Sequence, residues 1–93
     1  MRKAIAGSME SMDCMVSVFE RPSGTGITLS IGGSGSELFH SAIVNTVNRT
    51  LSAFNIQDIE VHIQDCGALE PVLSARLETA LLRYSVASDE REP

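Results

Sequence analysis

Ile59, Val61 and Ile63 alternate with Glu60, His62 and Gln64, and this short run sits between two stretches of helical period. A strand with one apolar face must bury that face against something, and helices with one apolar stripe need the same. The first helix is expected to follow Ser34 and to run to about Phe54, with Phe39, Ile43, Val47, Leu51 and Phe54 as its stripe and Ala42, Thr46 and Thr50 beside it. Ser34 and Glu37 are spaced as a capping box for its start, and Asn55 with Ile56 fits a left-handed stop and its hydrophobic follow-on. His62 and His40 have no companion ligand and read as solvated side chains. Arg49 lies outside the first stripe.

The second helix runs from the turn Asp65-Cys66-Gly67 to about Tyr84. Pro71 falls in its first turn, where a missing N–H costs nothing. Leu69, Val72, Leu73, Leu77, Ala80, Leu81 and Tyr84 form its stripe, and Arg76, Glu78 and Arg83 read as solvent-facing. Upstream, Met12, Cys14, Val16 and Val18 alternate with Asp13, Met15, Ser17 and Phe19, which predicts a strand over residues 12–19. Its second face is only half polar, so Met15 and Phe19 call for a cover. Arg21 to Gly26 is a turn that suits a loose hairpin to a second strand carrying Ile27, Leu29 and Ile31. The first ten residues show no clear period; they read as an irregular segment, with Ala4-Ile5-Ala6 available for a short strand.

The expected fold is therefore α+β: a two-layer sandwich in the order ββαβα, with a small mixed sheet of three strands, or four, and two helices on one face. The second and third strands are parallel through a right-handed crossover, and the first is antiparallel to the second. The pattern leaves open which neighbour the third strand takes. Ninety-three residues make one domain, taken as residues 1–87, followed by a charged tail at 88–93 that is expected to fray.

Composition narrows the function more than it defines it. A net charge of −5 disfavours nucleic acid, and one Tyr, three Phe and no Trp leave little for base stacking. Arg2-Lys3 is followed by too short an apolar run for a signal peptide, and no stretch nears the ~20 apolar residues of a membrane span. Cys14 and Cys66 match no metal or redox spacing and read as reduced thiols, though a bridge between them stays open. A cytoplasmic protein without membrane contact is expected.

Motifs for catalysis are thin. Gly32-Gly33-Ser34-Gly35-Ser36 lacks the lysine and the spacing of a phosphate loop and reads as a strand-to-helix connection. No G-x-S-x-G elbow and no H-E-x-x-H occurs. What remains is Gly7-Ser8-Met9-Glu10-Ser11-Met12-Asp13, a polar run with two hydroxyls. Glu10 and Asp13 flank Ser11; on spacing alone they are ordinary surface acids as readily as helpers that hold a divalent cation during transfer to the hydroxyl.

That run, continued by Cys14-Met15-Val16, resembles the attachment segment of the citrate lyase acyl carrier protein (γ subunit) family, a small-hydroxyl-x-Glu-Ser-x-Asp pattern ahead of an apolar strand. Asp65-Cys66-Gly67-Ala68-Leu69-Glu70 and Ala75-Arg76-Leu77-Glu78 are similar to that family's Asp-x-Gly-Ala-Leu-acid and Ala-Arg-Leu-Glu segments. The resemblance covers about residues 4–85. Met12 and Pro71 depart from the family's usual residues. The resemblance implies that Ser11, rather than Ser8, carries 2′-(5″-phosphoribosyl)-3′-dephospho-coenzyme A in phosphodiester linkage, with Glu10 and Asp13 in recognition. It implies a thiol that holds acetyl and then citryl as thioesters while citrate is cleaved to acetate and oxaloacetate. The implied partners are an α subunit that exchanges the acyl group, a β subunit that cleaves citryl, and a prosthetic-group transferase; the carrier needs no catalytic residues of its own. Three rivals remain: the acyl carrier of malonate decarboxylase, an αβ interaction module with no cofactor, and a small phosphate-binding enzyme that uses the glycine-rich loop.

Overall fold

The computed structural model describes residues 1–34 and 36–87; Gly35 and the expected tail at 88–93 lie outside the described residues. Six elements follow one another: β1 (Lys3–Gly7), β2 (Cys14–Glu20), β3 (Ile27–Ser34), α1 (His40–Ala53), β4 (Ile59–Cys66) and α2 (Glu70–Val86). The ββαβα order holds, with β1 added ahead of it as the fourth strand. Ala4 and Ala6 face inward while Lys3, Ile5 and Gly7 are exposed, so the segment read as irregular is an alternating edge strand.

The sheet order is β1-β2-β4-β3. β4 takes both neighbours the pattern left open: it is antiparallel to β2, with Val18 opposite Val61, and parallel to β3, with Leu29 opposite Val61. The loose hairpin expected between β2 and β3 is not formed, because β4 lies between them. Residues 21–26 instead carry the chain past that central strand. Asp58 holds this turn at the start of β4, accepting the Gly26 amide at 2.8 Å. Amide bonds from Gly26, Gly24 and Thr25 lower the Asp58 carboxyl below its ordinary value.

Both helices cover one face. Cys14, Val16 and Val18 of β2 and Ile59, Val61 and Ile63 of β4 meet Ile43, Val47 and Leu51 of α1 and Leu73, Leu77, Ala80, Leu81 and Tyr84 of α2. This core is aliphatic except for Cys14 and Tyr84. On the other face Ser30, His62 and Gln64 are exposed, and Met15 and Phe19 are half-buried without a covering element among the described residues. His62 is solvent-facing as expected, with the Phe19 ring edge-on at 5.5 Å and Glu60 as a hydrogen-bonding partner.

Four local expectations change. Met12 is not on the core face: it has φ +67°, is exposed, and precedes the strand. The Ser34–Glu37 capping box is not formed, because β3 continues through Ser34 opposite Cys66 and α1 starts only at His40 after turns over residues 36–39. Gly32 and Gly33 accordingly belong to the strand rather than to a connection. A Cβ on Gly33 would lie 2.0 Å from the Asp65 carbonyl oxygen, so this ladder position tolerates only glycine. Phe39 and Leu69, assigned to apolar stripes, are exposed at the starts of α1 and α2. The stop at Asn55 is as read: φ is +56°, its amide reaches Ser52 O at 3.0 Å, and Ile56 N reaches Leu51 O at 3.0 Å.

No helix among the described residues is long and apolar enough to cross a membrane.

Candidate functional site

The polar run is the loop from β1 to β2. β1 and β2 are paired up to Gly7 opposite Met15, so residues 8–13 must leave one strand and re-enter the next within one turn's width. Gly7 makes the exit: φ is +97°, and an added Cβ would sit 1.9 Å from the Cys14 carbonyl oxygen. Past it, Ser8 N donates to Cys14 O at 3.1 Å.

Asp13 secures the return. Its Oδ2 accepts the Ser8 hydroxyl at 2.7 Å, and its Oδ1 accepts the Cys14 amide at 2.7 Å. Arg76 on α2 reaches the same carboxylate with both ends of its fork, Nε to Oδ1 at 2.9 Å and an Nη to Oδ2 at 3.0 Å. Such a bidentate pair fixes direction as well as distance. The Arg76 guanidinium, the Ser8 hydroxyl and the Cys14 amide hold the Asp13 carboxyl well below the usual aspartate range. Asp13 in turn raises the Arg76 guanidinium above its ordinary value.

The loop is also tied to the end of β4. Met12 N donates to Cys66 O at 2.8 Å, and Cys66 N donates to Asp13 O at 2.9 Å. Asp13 N closes a turn on Glu10 O at 3.1 Å. Everything around Ser11 is therefore held, while Ser11 itself is exposed at the tip and its hydroxyl makes no hydrogen bond among the described residues. Ser8 differs: it is half-buried, donates to Asp13 and accepts the Glu10 amide at 3.2 Å.

The three residues singled out from sequence thus take separate positions. Ser11 and Glu10 face solvent on the tip, and Asp13 is turned inward onto Arg76. Both Asp13 carboxylate oxygens are taken up by Arg76, Ser8 and the Cys14 amide, and no group of three or more side chains that could hold a metal ion occurs among the described residues. Arg76 was read as a solvent residue. It stands 63 positions from Asp13, and only the chain's folding brings them together. The available signal was that the two blocks carrying the resemblance bring one an acid, Asp13, and the other a base, Arg76.

The thiols complete the surroundings. Cys14 is fully buried, and burial pushes its thiol up to about 11, which makes it inert at neutral pH. Cys66 is half-buried; both cysteines are free, so the bridge left open by the sequence is not formed.

The site can be described chemically as one exposed primary hydroxyl on a loop clamped at both ends, with no side-chain base hydrogen-bonded to that hydroxyl among the described residues. The family described as "Malonate decarboxylase delta subunit (MdcD)" matches residues 1–84. Similar proteins include the citrate lyase acyl carrier proteins of Halothermothrix orenii, 33% identical over 98% of this chain and 95% of that protein, and of Yersinia enterocolitica, 42% identical over 97% and 89%. That of Serratia proteamaculans is 40% identical over 88% of this chain and 79% of that protein. Likeness at this level over nearly the whole length places the chain in the citrate lyase acyl carrier protein family.

Proposed function

We propose that Ser11 is the covalent attachment point for 2′-(5″-phosphoribosyl)-3′-dephospho-coenzyme A and that the chain is the acyl carrier subunit of citrate lyase. The observation that carries this reading is the contrast between the two serines of the loop: Ser11 is exposed and uncommitted, Ser8 is half-buried and bonded at both donor and acceptor. The surroundings fit a phosphodiester. Of the loop's own two acids, Asp13 is the one turned toward the body of the protein, and its charge is matched by Arg76, so it adds little repulsion to an anionic linkage next door. Glu10 is left as the acid on the tip that a modifying transferase would meet first.

The attached group supplies a thiol on which acyl groups ride as thioesters. This chain supplies the rest: Asp13 and Arg76 keep the loop's base rigid, Gly7 gives it a tight exit, and Ser11 projects outward. An anchor of this kind turns encounters with two separate active sites into intramolecular ones. The partners on this reading are the α and β subunits of citrate lyase and the prosthetic-group transferase, working in the cytoplasm, where free Cys14 and Cys66 are at home.

Intact mass after co-expression with the transferase, followed by peptide mapping, tests the site. Wild type and Ser8→Ala should gain the full cofactor mass, and Ser11→Ala should gain none. Full modification of Ser11→Ala would overturn the assignment. The description of the matching family favours a second reading, the acyl carrier of malonate decarboxylase. Combining the modified chain with the catalytic subunits of each complex separates the two: restored citrate cleavage supports the first reading, and restored malonate decarboxylation alone supports the second.

A further inference from the structure

Beside the attachment loop, a cleft of about 240 Å³ opens between the end of β3, the first turns of α1 and the turn that leads into α2. Phe39, Ile43, Ala68 and Leu69 give it apolar walls; Thr46 and Asp65 are its polar points. Asp65 is only 5% exposed. Its Oδ1 accepts the amides of Gly67 at 3.2 Å and Ala68 at 3.0 Å, while Oδ2 accepts no hydrogen bond from the described residues. The cleft wall is joined to the loop through the chain: Met12, next to Ser11, is bonded to Cys66, and the chain runs from there through Gly67 into the cleft wall.

Resting on the attachment reading above, we infer that this cleft seats the neutral, amide-bearing end of the arm carried by Ser11. Charge selects that end. The ionisable groups bordering the cleft are Asp65 and Glu70; Arg49 pairs with Glu70 at 3.0 Å, while Asp65 has no cationic partner among the described residues, so a phosphate is disfavoured beside Asp65 while an N–H donor has an acceptor in its Oδ2. Methylenes and methyl branches of the same arm suit walls of Phe39, Ile43 and Leu69. Size agrees as well. Pockets for free small molecules run to roughly 300–1,000 Å³, so this one suits a segment of a larger group. A tether raises local concentration to the millimolar range, which lets a shallow seat fill that would not hold a free molecule. Seated so, the arm is held against its own carrier between visits to partner active sites.

The test uses the full chain in apo and loaded forms, with loading verified first by intact mass. Failure to load would count against the attachment reading, and only the loaded protein tests the seat. Methyl NMR of the two forms should show shifts at Ile43, Ala68, Leu69 and Leu73, and none at Ile5 or Val86. Ala42→Trp, a change at an exposed helix position on the cleft border, should abolish those shifts while keeping the full cofactor mass. Shifts confined to residues 8–13 in the loaded wild type would overturn the seat. So would cleft shifts seen only on adding the acyl-exchanging subunit, since the cleft would then belong to that partner. The wild-type comparison decides the matter even if the tryptophan variant does not fold.

Discussion

The Asp13 carboxylate accepts four hydrogen bonds from three partners, and that is why Ser11 two residues earlier can be exposed without being loose. The pH dependence follows from those bonds. Arg76 above all, then Ser8 and the Cys14 amide, depress the folded-state pKa of Asp13 below the unfolded value of about 4. The stabilisation is therefore fully present above pH ~5 and is lost as pH falls through the acid range. Urea unfolding from pH 6 down to pH 3 should show wild type losing stability faster than Asp13→Asn, the two curves converging at low pH. Parallel curves would mean that the Arg76 fork has no thermodynamic weight. Gly7 answers to backbone geometry instead. Gly7→Ala puts a side chain at φ +97° and 1.9 Å from a carbonyl oxygen. Strain alone should cost about 1–3 kcal/mol, visible as a lower urea midpoint. Ser11 could be singled out from the sequence because the motif is local. Arg76 could not be, because a surface-reading arginine beside an apolar stripe looks the same whether it meets water or a carboxylate across the fold.

Element boundaries show where local signals lose to pairing. The alternation of Ile59, Val61 and Ile63 and the stripe from Leu73 to Tyr84 were readable because each has a single period and a buried outcome. Ser34 with Glu37 had the spacing of a helix cap, yet the β3–β4 ladder runs on to Ser34 opposite Cys66 and claims the backbone first. Asn55 kept its signal because no strand competes for residues 54–56. The two positions make a matched pair of tests. Ser34→Ala should shift stability by no more than about 0.5 kcal/mol, whereas a working N-cap would cost roughly 0.5–2 kcal/mol. Asn55→Ala should cost about 1 kcal/mol for a left-handed backbone without an amide side chain, and Asn55→Gly should cost less or nothing. Chemical denaturation of the three variants measures both. A large loss in Ser34→Ala would mean that the helix start is set from residue 34 after all.

At the scale of the whole molecule, strand order was hidden because β2, β3 and β4 all turn aliphatic side chains to one face, and nothing in such a pattern says which two flank the third. The order that results puts β2 between the edge strand β1 and the central strand β4, and it makes residues 8–13 a closed loop instead of a leading tail. β1 is held from several sides. Arg83 on α2 donates to Ile5 O at 2.7 Å, the Arg2 guanidinium lies 4.4 Å over the Tyr84 ring, and Arg2 N reaches the Glu20 carboxylate at 2.9 Å. Ala6 completes the core beside α2. Removing residues 1–6 takes away these bonds, bares the edge of β2 and leaves Ser11 near a free end. With each net hydrogen bond worth about 1 kcal/mol, a loss of at least ~2 kcal/mol is expected, or roughly 8–16 °C in Tm for a domain this small. Ser11→Ala in the full chain should unfold at the wild-type temperature, because its hydroxyl holds nothing in place. Deuterium exchange should then rise in the truncated chain along residues 8–18 and stay unchanged in β3. A truncated protein that melts like wild type and protects residues 8–18 equally would show that β4 and Arg76 suffice to shape the loop, and that β1 serves only to cover α2.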